Sequence, residues 1–235
     1  MPGALYLVPN LLGNVAPSTV LPQRTIDVAR GLVHWVVETP KPARAFLSSL
    51  GMPVPIAQLD VVALPRAPGA DEVAAVIRTL GNGEDVGLVS DAGCPGVADP
   101  GSALVAAVHA AGLRVIPLVG PSAILLALMA SGLNGQHFCF HGYLPVKPEA
   151  RAEALRSLEA QSRGGARTEI FIETPYRNAA MLAALADALK PSTTVCIAAD
   201  LTLPTEHIER ASARDWGRRD LARFERRPAI FLLQG

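Results

Sequence analysis

Val86-Gly87-Leu88-Val89-Ser90-Asp91-Ala92-Gly93-Cys94-Pro95-Gly96-Val97-Ala98-Asp99-Pro100-Gly101 is the stretch from which the fold can be read. Val86 to Val89 is a short apolar run of the kind that forms a parallel strand buried on both faces. The residues after it are punctuated by glycine and proline. Asp99 followed by Pro100 predicts a helix N-cap with proline at the first helical position, and Gly112 fits the stop of that helix. Arg114 to Leu118 is the next strand; Gly120-Pro121-Ser122 then opens a second helix, Ala123 to Ser131, that Gly132 ends. Two loops therefore leave the carboxyl ends of two strands expected to be neighbours, and in open α/β sheets that edge binds ligands. Each loop turns backbone N–H groups outward and runs into the positive end of a helix dipole. Ordinary βα turns share this composition, so a purely structural role stays open at this point.

With 235 residues the chain can build one large domain or two modest ones, each with a core. Half of the residues are hydrophobic and only 5% aromatic, the profile of an α/β enzyme and not of a disordered chain. Twenty-one basic residues balance 21 acidic ones, which argues against holding nucleic acid by a broad basic surface while leaving room for a local patch. Cys94, Cys139 and Cys196 are widely spaced in apolar contexts, with no disulfide framework and no CxxC pair. Reduced thiols, a cytoplasmic protein and no metal are the expectation. Met1 to Val8 lacks the basic start and apolar core of a signal peptide, and no apolar run approaches the ~20 residues of a membrane span.

Leu5 to Val8 reads as the first strand, ended by Pro9-Asn10. Leu32 to Val37 is a second, closing on Glu38-Thr39-Pro40, and Lys41 to Leu50 follows as a helix; Gln58 to Pro68 reads as a loop. Asp71 to Leu80 has helical spacing, with Val73, Val76, Ile77 and Leu80 on one face, and Gly81-Asn82-Gly83 ends it. The first domain is thus βαβαβαβ with a mostly parallel sheet. Ala123 to Ala130 is apolar all round, which predicts a helix buried on every side and acting as a spine between two domains.

From Gln136 the pattern changes. Strands are expected at Phe138–Leu144, Thr168–Glu173, Thr193–Ala199, Glu206–Ser212 and Pro228–Leu233, helices at Glu149–Gln161 and Asn178–Leu189, and a turn over Ser162–Arg167. This is a second α/β domain with a mixed sheet, and the expected boundary divides the chain into residues 1–118 and 119–235. Glu173-Thr174-Pro175-Tyr176-Arg177 ends a strand with several polar side chains, either capping the next helix or lining a cleft. His141, lying between aromatic residues, reads as structural.

Ser90-Asp91-Ala92-Gly93-Cys94-Pro95, Asp99-Pro100-Gly101 and Pro117-Leu118-Val119-Gly120-Pro121-Ser122-Ala123 resemble the tetrapyrrole methylase-like family, the class III S-adenosylmethionine (SAM)-dependent methyltransferases. The resemblance continues through Phe138–Lys147, Phe171-Ile172-Glu173-Thr174-Pro175-Tyr176-Arg177 and Ala199-Asp200-Leu201-Thr202 with Glu206. Within the family it follows the branch that 2′-O-methylates a cytidine of small-subunit ribosomal RNA. It implies two α/β domains with SAM in a cleft between them, a homodimer, and cofactor contacts at Pro9, Gly93, Cys94, Val97, Ser122, Ala123 and Thr174. Two loops depart from that branch: Pro40 and Pro42 interrupt the acidic loop between Glu38 and Arg44, and Gln58–Pro68 lacks a polar, histidine-containing stretch. The chain also stops at Gly235 without the further domain that branch often carries.

The sulfonium of SAM is already an activated electrophile, so methyl transfer needs alignment and exclusion of water more than covalent help. That agrees with a site of backbone loops and no nucleophile with its activating base. Cys94 has no activating neighbour in sequence and reads as pocket lining. A hydroxyl acceptor would need a base or hydrogen-bond acceptor, for which Glu173, Asp91 and Asp99 are the candidates; Asp99 is set aside for capping, and Glu173 is the expected choice. The expected activity is methylation of ribosomal RNA. A small-molecule or tetrapyrrole-like acceptor and a non-catalytic SAM-binding module are the alternatives. A dinucleotide oxidoreductase is disfavoured, since no G-x-G-x-x-G follows the first strand.

Overall fold

Short apolar runs alternating with helical spacing build the first half of the chain into one parallel sheet. The computed structural model describes residues 1–65, 68–165 and 167–235. Its contacts divide the chain into two compact units, Met1–Ser122 and Ala123–Gly235. The division falls at Ser122, beyond Leu118, because Val119 and Pro121 are bonded back into the first unit: Val119 O accepts from Thr25 Oγ1 and Pro121 O from Cys94 Sγ.

In the first unit the order along the chain is β1 (Ala4–Leu7), α1 (Gln23–Gly31), β2 (His34–Val37), α2 (Pro40–Ser49), β3 (Asp60–Ala63), α3 (Ala70–Gly81), β4 (Val86–Val89), α4 (Ser102–Ala110) and β5 (Arg114–Pro117). The strands lie in the order β3-β2-β4-β1-β5, every pair parallel. β4 and β5 are therefore not neighbours; β1 runs between them, and its loop joins theirs at the carboxyl edge. β3 occupies part of the segment expected as the Gln58–Pro68 loop, of which Arg66 and Ala67 lie outside the described residues. α4 starts at Ser102, with Gly101 at the N-cap (φ 132°), and not at Asp99-Pro100. The loop before it takes left-handed backbone at Gly93, Gly96, Ala98 and Gly101, so helix cannot begin until the last of these is passed.

Gly87 shows why this strand sequence suits the centre of the sheet. It pairs with Tyr6 on one side and Trp35 on the other, and a Cβ there would stand 2.7 Å from the Trp35 ring. The indole, fully buried and donating from Nε1 to Leu32 O at 3.2 Å, fills the space beside the glycine.

The second unit contains α5 (Ala123–Ser131), β6 (Phe138–Tyr143), α6 (Pro148–Gln161), β7 (Thr168–Glu173), α7 (Asn178–Ala188), β8 (Thr194–Ala199), β9 (His207–Ser212), α8 (Ala213–Trp216) and β10 (Ala229–Gln234). Its sheet runs β6-β7-β10-β8-β9; β6 and β7 are parallel and the remaining pairs antiparallel, a mixed sheet. The turn expected over Ser162–Arg167 includes Ala166, which lies outside the described residues. Phe171 and Phe231 stack at 5.5 Å on one face of the sheet, among Leu155, Leu182, Leu185 and Trp216. α5 packs on β8, β9 and β10 of this unit. It is not buried on every side: Ala127, Leu128 and Ser131 are covered, but Leu125 is 50% and Met129 79% exposed. A helix lying on one sheet face buries a single stripe, however apolar its other side. Among the described residues no helix is long and apolar enough to cross a membrane.

Two measurements follow from this packing. Gly87→Ala pushes a methyl into the Trp35 indole and is expected to lower unfolding stability by about 1–3 kcal/mol, read from urea melts. In β8, burial pushes the Cys196 thiol up to about 11. As pH rises from about 9 to about 11 the unfolded chain sheds a thiol proton that the folded chain keeps, so this group removes stability across that window. Cys196→Ala is expected to flatten the alkaline slope of stability against pH, measured by denaturant melts.

Candidate functional site

Four strands of the first unit deliver their loops to one carboxyl edge: Pro9-Asn10 after β1, Glu38-Thr39 after β2, Ser90-Asp91 after β4 and Gly120-Pro121 after β5. Asn10, buried, ties the β1 loop to the β4 loop. Its Nδ2 donates to Ser90 O at 2.9 Å and Asp91 O at 3.0 Å, its Oδ1 accepts from Leu11 N at 2.7 Å, and its backbone N–H donates to Gly93 O at 2.8 Å. Asp91 is exposed and clasped from β2: its Oδ2 accepts from Thr39 Oγ1 at 2.8 Å, while its N–H donates to Glu38 Oε2 at 3.1 Å. Gly120 is needed for close approach, because a Cβ there would meet Pro9 Cβ at 2.3 Å. Of the residues singled out in the sequence, Pro9, Asp91, Gly93 and Cys94 are brought together here. Val97, half exposed, lies on the same loop, and Ser122 closes the unit.

The loop from Ser90 to Gly101 is under backbone constraint. Gly93 (φ 66°), Gly96 (φ 78°) and Gly101 (φ 132°) carry left-handed conformations that glycine adopts freely. Ala98 (φ 66°) adopts one at a cost of about 1–2 kcal/mol, which the surrounding contacts must offset. The Ser90 hydroxyl is buried and has no hydrogen-bond partner among the described residues. The loop is thus strained and glycine-turned, and it holds one buried hydroxyl without a partner among the described residues at the sheet's carboxyl edge. Cys94 donates to Pro121 O at 3.5 Å, and burial raises its pKa, so it stays a thiol at neutral pH and is no nucleophile.

In the second unit Glu173 ends β7 with its carboxylate buried. Oε1 accepts from Thr174 N at 2.6 Å, from Arg177 Nε at 2.8 Å and from Arg177 Nη2, while Oε2 is buried without a partner among the described residues. Arg177 thus pairs with Glu173 itself and not with a surface carboxylate. Asp200 (φ 51°) accepts at Oδ2 from Arg227 Nε and Thr205 Oγ1, both at 2.8 Å. Ala123 is the first residue of α5 and Thr174 the N-cap residue of the turn after β7. Sequence reasoning passed over Asn10, Thr39 and Ser90, although a polar residue directly behind a strand-ending proline is a usable signal for the first. It also left Cys139, His141 and Glu169 unconnected, whereas their donor atoms lie within 4.8 Å of one another.

The geometry defines a two-unit α/β protein, a parallel sheet followed in the chain by a mixed one, with a glycine-turned loop cradle at the carboxyl edge of the first. Residues 31–216 match the family of Tetrapyrrole (Corrin/Porphyrin) Methylases, and the chain belongs to that family. It is 34% identical to ribosomal RNA small subunit methyltransferase I of Escherichia coli O157:H7, over 89% of this chain and 69% of that protein. Its identity to the protein of the same name in Xylella fastidiosa is 37%, over 86% of this chain and 69% of the relative. Among solved structures, the methyltransferase CobJ superposes with a TM-score of 0.63 at 20% identity, covering 99% of this chain and 94% of its own; this shows the shared fold.

Asn10→Ala leaves the Ser90 and Asp91 carbonyls without their donor and is expected to cost about 1–3 kcal/mol of stability. Thr39→Val, which removes one exposed bond, is expected to cost about 1 kcal/mol or less. Urea melts of the two variants side by side make the comparison.

Proposed function

We propose that this protein is a SAM-dependent methyltransferase of small-subunit ribosomal RNA, acting on a ribose 2′-hydroxyl. The observation that carries the reading is the identity of 34–37% to proteins named for methylating that RNA, over most of both chains. The cradle of the first unit fits the cofactor. The orphaned Ser90 hydroxyl offers a polar partner, and the left-handed glycines expose main-chain N–H groups to an extended ligand. SAM, when bound, supplies a methyl group already activated toward a nucleophile.

The reading gives Pro9, Gly93, Cys94, Val97 and Ser122 to cofactor binding; Ala123 and Thr174 enter on the family resemblance alone. Of the two carboxylates, Asp91 is assigned to take the hydroxyl proton. It is exposed, it stands on the loop that carries Gly93 and Cys94, and Thr39 fixes one of its oxygens. Glu173, held by Arg177 and the Thr174 N–H, is assigned a positioning role. Support for a polyanionic acceptor comes from the second unit: residues 214–227 hold six arginines against three carboxylates, and Arg214, Arg218, Arg223 and Arg226 are exposed. Glu209 pairs with Arg219 and Arg223 and Asp200 with Arg227, which leaves Arg214, Arg218 and Arg226, without an ion pair among the described residues, as the local basic surface. A cytoplasmic homodimer is part of the same reading, and the exposed Leu125 and Met129 support association.

Calorimetric titration with SAM and with S-adenosylhomocysteine, followed by transfer of labelled methyl to small subunits from cells lacking the gene, tests the proposal. One saturable site is expected, abolished by Gly93→Val. Asp91→Asn is expected to lower kcat by about 10²–10⁴-fold with little change in SAM affinity. Folded protein that binds neither ligand would sink the reading. Label appearing only in small molecules would replace the RNA acceptor with the tetrapyrrole-like alternative.

A further inference from the structure

Cys139 and Glu169 are register partners across the parallel β6/β7 pair, so their side chains leave the same face of the sheet. His141, two residues beyond Cys139, returns to that face. The pairing of β6 and β7 is interrupted between Phe140 and Tyr143, where Gly142 takes a positive φ of 66°, and such a bulge re-aims the side chain beside it. His141 Nε2 consequently stands 2.6 Å from Glu169 Oε2. Cys139 Sγ completes a set of one sulfur, one nitrogen and one oxygen whose donor atoms all lie within 4.8 Å of one another.

We propose that Cys139, His141 and Glu169 form a zinc site that pins the edge strand β6 to β7. Thiolate, imidazole and carboxylate together suit zinc, whereas magnesium and calcium prefer oxygen donors alone. Donors around a tetrahedral zinc sit roughly 3.3–3.8 Å apart, so the set closes on an ion by side-chain rotation without shifting either strand. The surrounding groups already orient the carboxylate. Arg167 Nε donates to Glu169 Oε1 at 2.6 Å, and Arg167 Nη2 is held in turn by Gln161 Oε1 at 2.5 Å. Glu169 is fully buried, so its Oε1 stays with Arg167 while Oε2 exchanges the histidine for the metal, an arrangement in which a ligating carboxylate keeps an outer hydrogen bond. A purely structural Arg167–Glu169–His141 network accounts for the two ion pairs, but it needs no thiol opposite Glu169; Cys139 Sγ makes no hydrogen bond among the described residues. β6 is an edge strand, and Cys139 and His141 are half-buried, so an ion has a path in and the fourth position is open to water.

The test is titration of the purified, metal-stripped full chain with zinc against a chromophoric chelator, then with cobalt as a spectroscopic probe. One equivalent of zinc is expected, together with a thiolate-to-cobalt charge-transfer band and a higher melting temperature with zinc than with chelator. Cys139→Ser and His141→Ala, both at half-buried positions, are each expected to weaken zinc binding at least tenfold, on the order of the loss from altering a metal site, and Cys139→Ser to abolish the band. Cys196→Ala is expected to keep both. Circular dichroism of each apo variant confirms that it is folded. The absence of saturable zinc binding would overturn the proposal, as would binding that survives both substitutions.

Discussion

One buried amide links the β1 and β4 loops at the carboxyl edge of the first unit. Asn10 joins loops that are eighty residues apart in sequence, donating to the carbonyls of Ser90 and Asp91 while its backbone holds Gly93. An amide out of water must have partners, and here they are main-chain carbonyls at the end of the neighbouring strand. Ser90, Asp91 and Gly93 are held to the β1 loop through that link. Asp91 is held from both sides, by Asn10 at its carbonyl and by Glu38 and Thr39 at its N–H and carboxylate. The left-handed Ala98 persists because the loop is anchored ahead of it, at Gly93 and Cys94.

The second unit places buried charge differently. Glu169 and Glu173 sit four residues apart on one face of β7, both buried, and each receives an arginine and a further donor. Burying a carboxylate without such partners would cost several kcal/mol, on the order expected for an unpaired ion in a core. The paired arrangement leaves one oxygen of Glu173 without a partner among the described residues and leaves Glu169 shared with a histidine beside a thiol. Polar groups in strand interiors are therefore concentrated on β7, while β8 and β10 carry the apolar core.

Much of the fold could be read from short-range pattern. The runs at Val86–Val89 and Arg114–Pro117, the helical face of Val76 and Leu80, and the glycine stops at Gly112 and Gly132 all report local preferences that the tertiary structure keeps. The failures have a common cause in non-local structure. Strand order is invisible to periodicity, so β1 entering between β4 and β5 could not be seen. The start of α4 was misplaced because Asp99-Pro100 satisfies a local capping rule while the loop's left-handed path, set by distant contacts, postpones the helix to Ser102. An all-apolar α5 looked buried, yet composition does not say how many sides of a helix find partners. At the candidate site, residue types marked the loops, but the bonds of Asn10 and Thr39 and the meeting of Cys139 with Glu169 depend on register, which no single segment encodes.

The place of β10 bears on how the second unit comes into being. Residues 229–234 form the strand between β7 and β8, hydrogen-bonded on both sides, and they supply Phe231 to the stacked pair at the centre of that core. During synthesis β6, β7, β8 and β9 all leave the ribosome before the strand that must separate β7 from β8. Until it arrives, two rows of unpaired main-chain groups face a gap, a state open to mispairing or to capture by chaperones. The first unit also waits for an inserted strand, β4, which enters between β2 and β1, but its last strand, β5, only adds to an edge. Translation thus delivers a first unit able to close its sheet early and a second unit whose sheet closes in one late step, governed by contacts of long sequence separation.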